Sequence, residues 1–133
     1  MKPECKKEAQ WWYQQATSDF TSLDVLLKAG KHDVVCFMAQ QVAEKALKAY
    51  LISRGEEFII SHSIAKLCDL IAGYDTEAVS LKKKIKGLTP YYVEARYPNA
   101  LEEIPSEYFE EDDAAEAIRM AKKALEFVKK RME

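Results

Sequence analysis

The stretch VVCFMAQQVAEKALKAYLISR, residues 34–54, decides the fold. Two adjoining apolar rows run along it at helical spacing. One holds Val35, Met38, Val42, Ala46 and Ala49; the other holds Cys36, Ala39, Ala43, Leu47 and Tyr50. Together they cover close to half of a helix circumference, so this helix must touch several neighbours rather than one. Its polar stripe is Gln41, Glu44, Lys45 and Lys48, and Phe37 projects on that polar side above Gln41 and Glu44. Asp33 stands where an N-cap belongs, and Gly55 closes the helix.

The flanking segments repeat this period. Ala9, Trp12, Tyr13, Ala16, Phe20, Leu23 and Leu27 form one stripe of a helix from about residue 4 to residue 29, stopped by Gly30. Ser61 or Ser63 caps a short helix with inner residues Ile64, Leu67, Cys68 and Ile71, ended by Gly73. A fourth helix starts near Thr76 with Ala78, Leu81, Ile85, Leu88 and Tyr92 inward, and Pro90 should end or kink it. Residues 99–109, between Pro98 and Pro105, read as loop. The last helix begins near Asp112 and repeats Ala114, Ile118, Ala121, Leu125, Val128 and Met132. Phe58-Ile59-Ile60 is the one strand candidate and is too short to build a sheet. The expectation is an all-α bundle of four to five helices in one domain, residues 1–133.

Composition agrees with that class. A chain of 133 residues with 48% hydrophobic and 32% charged residues is globular in composition, and only 4 Gly and 4 Pro are present to break elements. The net charge of −2 argues against general nucleic-acid binding, which needs a clear basic excess. Charge is unevenly spread: residues 102–116 carry eight acids and no base, while Lys82, Lys83, Lys84 and Lys86 form a basic run. The bland reading of both is solvated helix face. Sixteen Lys, fifteen Glu and a single Asn resemble the usage of hyperthermophiles. Cys5, Cys36 and Cys68 have no CxxC spacing, and His32 and His62 have no cysteine at ligand spacing, so no metal site is readable. No stretch is apolar enough to span a membrane and the N-terminus has no signal-peptide core, which points to a reducing cytoplasm.

Three stretches carry a family resemblance: FMAQQVAEKALKAY (37–50) preceded by LLKAG (26–30), then HSI (62–64) followed by Leu67, then YVEARYP (92–98). In this order and at these separations, from about residue 11 to 128, the chain resembles the HEPN domains of bacteria and archaea. The resemblance implies an up-and-down bundle that commonly dimerises. Many such domains partner a minimal nucleotidyltransferase, often as a toxin–antitoxin pair. Other branches are metal-independent ribonucleases whose motif is Arg followed by His after four to six residues. This chain departs from that motif, because seven residues and Gly55 separate Arg54 from His62, and no His follows Arg96.

No catalytic site and no cofactor stand out from the sequence. His62, between two serines, either caps a helix or contacts a phosphate or a partner carboxylate. Arg96 is either stacked on tyrosine and paired with Glu94 or Glu102–Glu103, or offers its fork of donors to a phosphate, with Tyr91, Tyr92 and Tyr97 as a stacking wall. Gln40, Gln41, Glu44 and Lys45 either line a cleft beside that wall or are solvated. Phe37 and Trp11 are large apolar groups off the main stripes, which predicts a homodimer interface. The expected function is a non-catalytic partner of a minimal nucleotidyltransferase with a nucleotide as possible ligand. The alternatives are a ribonuclease using Arg96 or Arg54 with His62, or a dimerising scaffold without a small ligand.

Overall fold

The computed structural model describes residues 3–132; Met1, Lys2 and Glu133, the outermost residues of the expected domain, lie outside the described residues. Five long helices form the bundle: α1 (Pro3–Lys28), α2 (His32–Ser53), α3 (Ile64–Ala72), α4 (Ala78–Ile85) and, last in the chain, α8 (Glu111–Met132). Between α4 and α8 lie a 3₁₀ turn (Lys86–Leu88) and three single-turn helices, α5 (Tyr91–Glu94), α6 (Pro98–Leu101) and α7 (Pro105–Tyr108). No strand occurs among the described residues.

Helix α2 is the axis of the molecule. Fourteen of its 22 residues are buried, which requires neighbours on nearly every side, and it packs against α1, α3, α5, α7 and α8. Both apolar rows are buried apart from half-buried Met38. Leu47, Tyr50 and Leu51 are fully enclosed. Truncating Leu47 to Ala would cost about 2–5 kcal/mol by leaving a cavity.

The α1–α2 turn is short because Gly30 adopts φ +75°, and the Gly30 and Lys31 N–H groups donate to Leu27 and Leu26 carbonyls, satisfying the end of α1. Gly55, at φ +92°, ends α2 in the same way. Ser63 Oγ accepts from Lys66 N–H (3.2 Å) and starts α3. Helices α4 and α8 run antiparallel, with Arg131 reaching back to Asp75 and Glu77 at the start of α4.

Three expectations need correction. Asp33 is not the cap of α2: the helix begins at His32 behind Lys31, which makes no side-chain cap bond, and Asp33 sits in the first turn, where its charge still suits the helix dipole. The fourth helix does not run on to Tyr92; it tightens into the 3₁₀ turn before Pro90, and Tyr92 belongs to α5. Residues 99–109 are not loop throughout. Pro98 and Pro105 each occupy the first helical turn of α6 and α7, where a missing N–H costs nothing.

Candidate functional site

The polar stripe of α2 is not solvated. Gln40 is fully buried, and Glu44 and Lys48 are each 5% exposed. Their spacing of four residues stacks them on one face of α2. Lys48 Nζ donates to Glu44 Oε2 (3.0 Å), and Gln40 Nε2 donates to Glu44 Oε1 (3.1 Å) and to the His62 carbonyl (2.9 Å). Gln41 Nε2 completes the chain by donating to Gln40 Oε1 (2.7 Å). A buried charge is tolerated only when paired and hydrogen-bonded, and here each member is.

His62 closes the network from outside. Its Nδ1 lies 3.1 and 3.2 Å from the two Glu44 oxygens. Because the Glu44 carboxylate is paired with Lys48, the Nδ1 facing it carries a hydrogen, which in a neutral imidazole leaves the lone pair on Nε2. The ring stacks on Tyr92 at 4.0 Å and 9°. His62 therefore does not cap α3, since Ser63 does that. It pins the residues before α3 onto α2.

Arg96 extends the stack. Its guanidinium carbon lies 4.4, 4.6 and 4.8 Å from the ring centres of Phe37, Tyr92 and Tyr97, and Nε donates to the Tyr92 carbonyl (2.7 Å). No carboxylate, Glu94 and Glu102–Glu103 included, pairs with it among the described residues. Its terminal N–H groups have no hydrogen-bond partner among the described residues, which leaves the donor fork open to an acceptor.

The other expected site residues separate. Tyr91 turns inward: it packs edge-on against Phe109 (5.4 Å), and burial pushes its hydroxyl up to about 12, so the stacking wall is Tyr92 and Tyr97 without it. Lys45 pairs with Asp19 of α1. Phe37 is half-buried under Arg96 and Tyr92, whereas Trp11 is 59% exposed. Arg54 lies over the Tyr50 ring (5.2 Å) and has no hydrogen bond to His62 among the described residues. Lys48, its ammonium 5.9 Å from the centre of the Trp12 ring, belongs to the site and was absent from the candidates; the Gln40–Glu44–Lys48 spacing was the available signal. Among the described residues no group of His, Cys, Asp or Glu could hold a metal, and no helix is long and apolar enough to cross a membrane.

Residues 9–131 match the HEPN domain. The chain belongs to the HEPN family. This HEPN domain is similar to the crystal structure of TT1696 from Thermus thermophilus, with a TM-score of 0.85 and 32% identity over 92% of this chain and 97% of that one. It is also similar to ST0689, described as an archaeal HEPN homologue, with a TM-score of 0.72 and 29% identity over 94% of this chain and 98% of that one. A Methanocaldococcus jannaschii protein named as a candidate toxin, MJ1304, is 29% identical over 132 residues, covering 92% of this chain and 87% of its own.

Proposed function

We propose that this HEPN domain is the non-catalytic partner of a minimal nucleotidyltransferase in a toxin–antitoxin module, and that Arg96 receives the phosphate of a nucleotide. The observation that carries the reading is the Arg96 guanidinium, supported by Phe37, Tyr92 and Tyr97 yet paired with no carboxylate among the described residues. Its immobilisation lowers the entropy lost on binding, and the Tyr92 and Tyr97 rings offer a stacking surface to a base. The similarity to a protein named as a toxin supports the module.

Calorimetry of wild type, Arg96→Lys and Arg96→Ala tests it, with ATP and separately with a minimal nucleotidyltransferase, should one be encoded beside the gene. Losing a charge-assisted bond to phosphate should cost about 1.5–3 kcal/mol, roughly ten- to a hundredfold in affinity. Arg96→Lys keeps the charge without the fork and should fall between. Unchanged affinity in folded Arg96→Ala refutes the assignment.

One observation favours a second reading, RNA cleavage. In its neutral form the Glu44-bound imidazole has an Nε2 lone pair, and Arg96 packs on the same Tyr92 ring, so a proton acceptor and an anion-stabilising group both contact that ring. Cleavage of single-stranded RNA by wild type that vanishes in His62→Ala would select this reading over the first. We expect cleavage to be absent or very weak.

A further inference from the structure

The net charge of −2 averages over an uneven chain: residues 102–116 carry eight acids and no base, whereas α4 and the second half of α8 are lysine-rich. A groove of about 440 Å³ runs between the antiparallel α4 and α8, and its lining includes Lys84 from α4 with Lys123, Lys130 and Arg131 from α8. The acids in it are Glu77, already bonded to Arg131, and Glu126. Of these three lysines and one arginine, only Arg131 has a carboxylate partner among the described residues. Arg131 is fixed rather than mobile: it bonds Asp75 (2.6 Å) and lies 3.5 Å over the Phe127 ring.

We propose that this groove seats the sugar–phosphate backbone of a single-stranded nucleic acid. Lys123 and Lys130, seven residues apart on α8, are about 10 Å apart along the helix axis at 1.5 Å per residue. Lys84 faces Lys123 from the other wall. Such a rail of ammonium groups, none paired with a carboxylate among the described residues, suits a chain of phosphates with no sequence readout. An acidic protein segment is disfavoured by the floor. Leu81 is 6% exposed and Phe127 is covered by the Arg131 guanidinium, so the groove lacks the accessible apolar centre that a stable protein interface uses. The site is independent of Arg96, and either can fail without the other.

Fluorescence anisotropy of the full chain with a labelled oligouridine of about 20 nucleotides tests the proposal. Three or four neutralised phosphates give a slope of log K against log salt of about −2 to −3, and about 20- to 50-fold weaker binding at 200 than at 50 mM salt. The triple variant Lys84→Gln/Lys123→Gln/Lys130→Gln, all exposed positions, should keep the fold. It should bind at least about tenfold more weakly at 50 mM salt, with a slope reduced by about 2. The control Lys6→Gln/Lys28→Gln/Lys31→Gln removes equal charge from α1 and its turn and should bind as wild type does. The proposal is overturned if wild type does not bind at 50 mM salt, or if both triple variants weaken alike. It is equally overturned if polyglutamate competes as well as unlabelled oligouridine, or if inorganic polyphosphate binds where oligouridine does not.

Discussion

Replacing Glu44 by Leu should destabilise the domain by about 3 kcal/mol, and the reasoning starts from what the substitution leaves behind. The Lys48 ammonium, on a side chain only 7% exposed, loses its carboxylate. His62 Nδ1 loses its acceptor, and Gln40 Nε2 keeps only the His62 carbonyl. Breaking a buried pair by removing one partner costs about 3–5 kcal/mol. The lower end applies because Lys48 retains the Trp12 ring and borders a cavity of about 420 Å³ through which its head can reach water. With a urea slope of about 2 kcal/mol per molar, the unfolding midpoint should fall by about 1.5 M. Adding Lys48→Met removes the stranded charge, so the double variant should recover at least about half of the loss. A single-variant cost below about 1 kcal/mol, or strictly additive single costs, would refute the view that Glu44 and Lys48 depend on one another.

Four further outcomes are expected. Burial pushes the thiols of Cys36 and Cys68 up to about 12, so at pH 8 a thiol–disulfide exchange reagent should label one cysteine, Cys5, in the native protein and all three after unfolding. The Arg131 hydrogen bond lowers the Asp75 carboxyl below 3.8, so its contribution is complete above that value and is lost as pH falls through the lowered folded one. Asp75→Asn should therefore be less stable than wild type near pH 6, with the gap closing as the pH falls below 3.8 in denaturation curves. Light scattering should give about twice the 15.2 kDa chain mass, shifting toward monomer in Trp11→Ala and Phe37→Ala. Melting should occur above about 65 °C, in keeping with the Lys- and Glu-rich, Asn-poor composition.

The bundle was legible because its long helices carry their information locally. The α1 stripe, both α2 rows and the α8 repeat are apolar at one period, and Gly30, Gly55 and Ser63 mark ends by chemistry that needs no distant partner. The region between α4 and α8 was less legible, since proline is both a helix breaker and a favoured first residue, and only the surrounding packing decides which. The site was half visible. Arg96 and His62 were marked by their unusual neighbours. The burial of Gln40, Glu44 and Lys48 was not marked, because it depends on residues 56–63 folding back so that His62 meets a carboxylate 18 positions earlier. A polar stripe reads as solvated until something covers it.

The central place of α2 also has a consequence in time. Its α1-facing side is covered as soon as the hairpin closes, but α8 supplies the opposing cover and ends about 80 residues after α2 does. At about 5–20 residues per second, a nascent chain carries that uncovered apolar surface for about 4–16 s before its last helix is made. During synthesis the molecule is a two-helix hairpin waiting for its lid, and that interval is when it is most open to capture by a chaperone or by another unfinished chain.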